Sequence, residues 1–476
     1  MAAPERLAGR RVTVIGMARS GLAAAQLIRR HGGAPFVSDA APAARLAEAV
    51  AELDSAGIEY ETGGNTSRAL AADLVVVSPG VPPRADVLAA ARAAALPVYS
   101  ELELASWFCP ARIAAITGTN GKTTTTALTG TMLDVAGHAA SVCGNIGVPL
   151  SLVVDDLTDR HVAVVEVSSY QLHAIESFRP NAAIVTNLRP DHLDWHGSLE
   201  AYYAAKARIG VNQNPDDALV HNLDDPNTDA ATFAGAARRL GFTVGDWRPG
   251  ASAFVRDGWL TLSESMARGD PLAPSGPAAA IPVLRAAEVR LRGRHNLANA
   301  AAAALAAAQL GAPVGAIAQA LRDFGGVEHR LESVGQVGGV SFVNDSKATN
   351  VDSVCVALEA TPGPVVLILG GRDKGAPYGP IAEAAGGRLR AVVLIGEAAD
   401  EIERQLRDAF AAPPALIRAG TLELAVRASV AVAVRGDTVL LSPACSSFDM
   451  FADFEERGRQ FKRCVALLRE EQAPGT

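Results

Sequence analysis

The segment Ile113-Ala-Ala-Ile-Thr-Gly118-Thr119-Asn120-Gly121-Lys122-Thr123-Thr124 carries the strongest chemical signal in the chain. An apolar run leads into Gly-x-x-Gly-Lys-Thr-Thr and then into a helical pattern. In that order, backbone amides, a lysine charge and a threonine hydroxyl can meet a polyphosphate and its Mg²⁺. The loop is shorter than usual, because Ile116 rather than glycine stands five residues before Gly121. The Gly-Lys-Thr end is intact, so an ATP site is expected there. Glu166 closes the strand-like run Val162-Ala-Val-Val-Glu166, where ligands collect in open α/β sheets, and is expected to hold Mg²⁺ across from the loop.

A further cluster follows another strand end, Asp191-His192-Leu-Asp194-Trp195-His196. Such a set would suit zinc, yet phosphate chemistry and the lack of nearby thiolates favour Mg²⁺, with His192 the better ligand and His196 a loop residue. The turn Gly16-Met-Ala18-Arg-Ser20-Gly21 follows a strand, opens a helix and precedes Ser38-Asp39 by the interval at which an acidic residue meets a ribose. NAD or another nucleotide diphosphate would satisfy it, and so would a plain structural turn.

Strands must deliver these turns. Short β-branched runs occupy 12–15, 74–77, 113–116, 162–165, 183–186, 365–369, 391–395 and 438–441, separated by Ala/Leu/Arg-rich segments of helical period. The alternation predicts an α/β protein with mainly parallel sheets covered by helices. At 476 residues the chain exceeds a single core. Phosphate-type turns near Gly16, Gly118 and Gly370-Gly371 predict three nucleotide-fold-like units, 1–101, 102–326 and 327–476. The stretch 245–282, rich in Gly and Pro, reads as an irregular or short-stranded excursion of the middle unit. The alanine-dominated run 297–310 reads as a buried helix too short to cross a bilayer.

A formal charge of −8 gives no global basic field, which argues against nucleic acid or a membrane surface as partner. Five widely spaced cysteines without a CxxC pair argue against a disulfide framework and fit a reducing cytoplasm. The start of the chain runs straight into a strand-like segment rather than a signal-peptide apolar region. Cys445, with no histidine in its motif, reads as a packed strand-end residue rather than a nucleophile.

Taken together, several segments resemble the Mur ligase family in order and spacing over nearly the whole chain. They are Gly118–Thr124, Glu166-Val-Ser-Ser-Tyr-Gln-Leu, Asp191-His-Leu-Asp, Gly293-Arg-His295-Asn296-Leu-Ala-Asn299, His329-Arg330, Asn344-Asp345-Ser346-Lys347-Ala348-Thr349-Asn350 and Leu441-Ser-Pro-Ala-Cys-Ser-Ser447-Phe448-Asp449. The resemblance implies a Rossmann-like N-terminal domain, a P-loop-like central ATPase and a Rossmann-like C-terminal domain. It implies an ATP-dependent ligase that adds D-glutamate to UDP-N-acetylmuramoyl-L-alanine through an acyl phosphate, acting as a monomer in the cytoplasm on the route to peptidoglycan. Gly118, Thr119, Asn120, Gly121, Lys122, Thr123, Thr124, Asn299, Arg330 and Asp345 would then bind ATP. Thr123 and Glu166 would hold one Mg²⁺, with His192 and a carbamylated Lys206 at a second. Ser20, Asp39, Ser78 and Gly80 would meet uridine diphosphate, and Asn145, Ser168 and Ser169 the muramoyl part. Lys347 would assist phosphoryl transfer and, with Thr349, Lys374, Ser447 and Phe448, frame the incoming glutamate.

Three rival readings stand beside this one. A folylpolyglutamate synthase uses similar chemistry without needing the N-terminal unit. An NAD-dependent dehydrogenase explains Gly16–Gly21 and Asp39 but leaves Lys122, Glu166 and Lys347 idle. A nucleotide-gated switch would hydrolyse ATP without any acceptor.

Overall fold

The computed structural model describes residues 6–228, 233–268, 279–291, 293–373, 375–410 and 412–472. Each apolar run of the sequence lies within or largely within a strand, and the strands gather into three sheets. The first holds β1 (Arg11–Ile15), β2 (Ala34–Asp39), β3 (Glu59–Thr62), β4 (Leu74–Val77) and β5 (Val98–Ser100), all parallel, in the order β3-β2-β1-β4-β5. The chain crosses from one side of β1 to the other after β3. That reversal leaves a crevice beyond the carboxyl ends of β1 and β4, where such sheets bind ligands.

The second sheet holds β6 (Arg112–Thr117), β7 (Ala139–Gly144), β8 (His161–Glu166), β9 (Ala182–Val185), β10 (Ala218–Asn222), β11 (Arg238–Phe242), β12 (Ala251–Arg256), β13 (Trp259–Ser263) and β14 (Ala280–Arg285). Its order is β14-β13-β12-β11-β10-β9-β6-β8-β7, parallel from β7 to β12 and antiparallel at β13 and β14. The Gly- and Pro-rich excursion is therefore a sheet edge. Asp257 (φ 50°) and Gly258 (φ 77°) form its tight turn, a left-handed pair whose twist matches an antiparallel hairpin. The third sheet holds β15 (Glu332–Val337), β16 (Val340–Asn344), β17 (Val365–Gly370), β18 (Leu389–Ile395), β19 (Ala415–Arg418) and β20 (Thr438–Leu441), in the order β15-β16-β20-β17-β18-β19, with only β15 antiparallel. Strands buried on both faces need apolar side chains throughout, and β4, β9, β17 and β20 are buried at every residue.

The chain divides into two compact units, Met1–Arg290 with Asn296–Phe324, and Leu291–His295 with Gly325–Thr476. The first two sheets share one unit and one apolar core, running from Val12 and Leu27 through Leu102 and Leu104 to Ile113, Val165 and Leu219. The helix Glu101–Ser106 lies at that junction with Glu101 to Ala105 buried, two carboxylates among them. Glu103 accepts the amides of Glu176, Ser177 and Phe178 at 2.9, 2.9 and 2.8 Å, the Ser177 hydroxyl, and the Trp107 indole at 2.7 Å. Glu101 accepts the Ser151 amide at 2.8 Å and the Ser151 hydroxyl. Among the described residues, no helix is long and apolar enough to cross a membrane.

Burial alone would raise the Glu103 pKa, but the donors from Ser177, Glu176 and Trp107 outweigh it and hold the carboxyl below its ordinary value. A depressed carboxyl adds stability that is present above the unfolded-state pKa and lost as pH falls through the folded-state one. Glu103→Gln keeps the shape but turns an N–H group toward donors. It should cost about 2–3 kcal/mol in denaturant unfolding at neutral pH, and the gap should narrow below about pH 4. Urea midpoints for both proteins across that range check this, and a pH-independent gap would remove the charge from the account.

Candidate active site

The phosphate loop sits where β6 ends and the helix Lys122–Val135 begins. Gly118 (φ 141°) and Gly121 (φ 84°) both hold the left-handed backbone. A Cβ at Gly118 would overlap the Thr186 hydroxyl, and one at Gly121 would overlap the Asn299 amide oxygen, so both positions need glycine for space as well as conformation. The helix has no side-chain cap and no acidic residue in its first turn, which leaves the positive end of its dipole open to an anion. Lys122 Nζ folds back onto the carbonyls of Gly118 at 3.0 Å and Thr119 at 2.7 Å. A phosphate arriving at the loop would draw the ammonium off these neutral acceptors. Behind the loop, Asn187 accepts the Asn120 amide and donates to the Asn120 carbonyl, both at 2.9 Å, while Thr186 Oγ1 donates to that carbonyl at 2.6 Å.

Glu166, at the end of β8, meets Thr123 across the loop: Thr123 Oγ1 donates to Glu166 Oε2 at 2.7 Å. The Asn145 side-chain amide donates to Glu166 Oε1 at 3.1 Å. A hydroxyl and a carboxylate at this spacing beside a phosphate loop are hard oxygen donors of the kind Mg²⁺ takes. Lys206 is buried, and its Nζ donates to the Gly118 carbonyl at 2.7 Å. Burial and the neighbouring Lys122 push its ammonium well below the ordinary lysine value, against Asp191 and Glu166. That direction favours the neutral amine, the form that can add CO₂ to become an anionic oxygen ligand.

His192 is left-handed (φ 53°), and its amide donates to Asp191 Oδ1 at 2.9 Å. His196 is more than the loop residue its sequence suggested. It ends the helix Leu193–His196, hydrogen-bonds Ser169 Oγ through Nε2 at 2.9 Å and stacks on Tyr170. Ser168 caps the helix Ser169–His173 in a reciprocal box with Gln171. Tyr202, not singled out in the sequence, is buried, hydrogen-bonds Thr119 Oγ1 at 3.1 Å and carries Lys206 Nζ 4.8 Å from its ring centre. Asn299 lies one helix turn from Asn296, to which it donates at 3.3 Å.

In the first sheet, Ser78 Oγ donates to the Gly16 carbonyl at 3.1 Å, and a Cβ at Gly21 would overlap that carbonyl. Asp39 accepts the amides of Met17 at 2.7 Å and Ala41 at 2.8 Å, so its carboxylate shapes the turn. The helix Arg19–Arg30, which contains Ser20, begins without a side-chain cap, and Gly80 is exposed beyond β4.

In the second unit, Asp345 is buried just past β16, accepting Ser442 Oγ at 2.9 Å and the Leu331 amide at 3.2 Å. Burial pushes its carboxyl up to about 6, with Arg330 opposing. Lys347 Nζ lies 5.4 Å from the centre of the Phe454 ring, and the Thr349 amide donates to the Lys347 carbonyl at 2.9 Å. Ser447 is buried and Phe448 is exposed. Lys374 falls outside the described residues. Cys445 is buried against the Tyr378 hydroxyl at 3.1 Å, and burial raises its thiol to about 11, which suits packing and not nucleophilic work. Glu328, His329 and Glu332 lie close enough for a metal, yet Lys462 hydrogen-bonds both glutamates.

Arg457 is the residue that sequence reasoning missed here. Fully buried, it donates to the Ser346 carbonyl at 2.8 Å, Ser346 Oγ at 3.0 Å and the Cys445 carbonyl at 3.2 Å, tying the Asp345–Thr349 loop to the Pro443–Ser447 loop. Burial pulls its guanidinium down to about 10, still protonated at neutral pH.

Family models match along the chain: a MurD-like N-terminal domain of Mur ligases at 10–100, the Mur ligase middle domain at 116–307 and the Mur ligase glutamate ligase domain at 329–445. The UDP-N-acetylmuramoylalanine–D-glutamate ligase of Acidobacterium capsulatum is 45% identical over 97% of this chain and 97% of its own length. The enzyme of that name from Salinibacter ruber is 45% identical over 98% of this chain and 99% of its own. In fold, the chain is similar to the UDP-N-acetylmuramate-alanine ligase of Thermotoga maritima, with a TM-score of 0.58 at 19% identity, covering 96% of this chain and 99% of that one.

Replacing Arg457 by methionine keeps much of the volume and strands the carbonyls of Ser346 and Cys445. The variant should lose about 3 kcal/mol of stability, and protease cleavage should appear within 345–349 or 443–447. An unchanged unfolding midpoint and cleavage pattern would show that the two loops hold without it.

Proposed function

The chain belongs to the Mur ligase family, and on that premise we propose that it joins D-glutamate to the alanine carboxyl group of UDP-N-acetylmuramoyl-L-alanine, converting ATP to ADP and phosphate, in the cytoplasmic assembly of peptidoglycan precursors. The observation that carries this reading is the Lys122–Thr123–Glu166 arrangement at the phosphate loop, in a chain alike from end to end to D-glutamate ligases.

A free carboxylate resists an amine because it is anionic and would have to expel oxide. Transfer of a phosphoryl group to it gives an acyl phosphate with phosphate as leaving group, and the work left to the protein is positioning and charge neutralisation. Lys122 and amides of the 118–124 loop hold the ATP phosphates; Asn299 of the first unit and Arg330 and Asp345 of the second are the further residues that the family resemblance implies for the nucleotide. Thr123 and Glu166 offer oxygen ligands for one Mg²⁺; His192 and a carbamylated Lys206 serve a second. Bound there, Mg²⁺ neutralises charge that spreads over the transferring oxygens. Ser20, Asp39, Ser78 and Gly80, within residues 1–101, face the uridine diphosphate. Asn145, Ser168 and Ser169, within 102–326, orient the muramoyl part. Lys347, Thr349, Lys374, Ser447 and Phe448, within 327–476, receive glutamate, two ammonium groups matching its two carboxylates. The neutral amine then forms the N–C bond, the bond from carbon to the phosphate oxygen breaks, and one proton leaves the nitrogen.

With ATP, Mg²⁺ and the UDP substrate, the purified chain should release phosphate and form product mass only when D-glutamate is present. Phosphate release indifferent to both acceptors would sink the reading in favour of a switch. Lys122→Ala and Glu166→Ala should each lower turnover by about 10²–10³. Lys374→Ala should mainly raise the glutamate KM, roughly tenfold, as for one lost charge-assisted hydrogen bond.

The Lys206 carbamate has its own readout. Protein equilibrated with ¹³C-bicarbonate should show one carbamate carbon resonance that Lys206→Ala lacks, and its absence from the wild type would dismiss the modification.

A further inference from the structure

The segment leading to Asp191 and His192 is fastened by a residue to which the proposed chemistry gives no task. Asp225, three residues past β10, is buried. Its carboxylate accepts the Leu188 amide at 2.7 Å, the Arg189 guanidinium at 2.7 Å and the Asn227 amide at 3.1 Å. Nearby side chains finish the job: Asn227 donates to the Leu188 carbonyl at 3.1 Å, and Asn222, the last residue of β10, donates to the Thr186 carbonyl at 2.9 Å.

The other edge of the same segment grips the phosphate loop. The Arg189 amide donates to Thr119 Oγ1 at 2.9 Å, and the Asn187 side chain pairs with the Asn120 backbone. Residues 186–189 therefore form a strap, with successive amides pointing alternately to the Asp225 side (Leu188) and to the loop side (Arg189). A backbone amide held by a carboxylate is bound roughly twice as strongly as one held by a neutral acceptor. Without that anchor, the Arg189 amide would lose its fixed height relative to Thr119.

We propose that Asp225 is a positioning residue for nucleotide binding: by fixing Leu188 and Arg189 it sets Thr119 and Asn120, and with them the direction of the loop amides that receive phosphate. The proposal rests on the reading of 118–124 as an ATP site, and it concerns a residue that touches neither nucleotide nor acceptor.

Asp225→Asn keeps the size but turns an N–H group toward one of the strap's donors. The test measures binding of Mg²⁺ with a non-hydrolysable ATP analogue, and of the UDP substrate, by calorimetry on wild type and variant. The analogue Kd should rise about tenfold, the equivalent of one charge-assisted hydrogen bond, while the UDP-substrate Kd stays within about twofold. A residue of merely structural importance would leave both constants alone or weaken both together, and either result overturns the proposal. A variant that does not fold leaves a second measurement on the wild type. Hydrogen exchange at Leu188 and Arg189 should be as slow as in β6, and exchange at the rate of open loop amides would overturn the strap. A wild type that binds the analogue but joins no glutamate would defeat the ligase reading and leave the strap standing.

Discussion

A loop that receives phosphate on backbone amides can spend only some of them on its own support, and here the amides of Thr119 and Asn120 both donate to Asn187. That constraint organises the first unit. Gly118 and Gly121 adopt a backbone that side chains would forbid, and the space behind them is filled by Thr186, Asn187 and Asn299, each bringing a polar group to the loop. The support comes from strands β9 and β10 and from the helix Arg294–Gln309, elements distant in sequence. The site is thus a property of a sheet, not of a motif.

In the same unit two buried carboxylates are received by backbone groups and neighbouring side chains. Glu103 is ringed by amides and Asp225 by two amides and a guanidinium. Lys206 donates to the Gly118 carbonyl, and burial with a second ammonium nearby lowers its pKa against the carboxylates of Asp191 and Glu166. A buried cation so poorly matched costs stability unless something else compensates. In the second unit Arg457 shows the contrasting case, a cation whose donors are spread over two loops and whose proton stays.

The phosphate loop, Glu166 and the central strands were legible because they combine local chemistry with a local pattern: glycine where φ is positive, β-branched runs where both faces are buried. The stretch 245–282 reads as irregular or short-stranded, and the short strands β12 and β13 on either side of Asp257-Gly258 bear out the second alternative. Asp225 and Arg457 were not legible. Each looks like a surface charge in sequence, and the partners that bury it lie far off: Leu188 and Arg189, 37 and 36 residues away, for Asp225, and Ser346, 111 away, for Arg457. His196 was undervalued for a similar reason, because its contact with Ser169 joins two separate turns. Sequence reveals what a residue can do; only the fold reveals whom it meets.

The apolar core common to the first two sheets bears on how such chains can be taken apart or exchanged. A cut beside residue 101 passes next to Leu102 and Leu104 and parts Glu101 from Ser151. Each fragment would carry a greasy wound where its neighbour had been. A graft at that seam would have to rebuild the apolar surface that the first two sheets share.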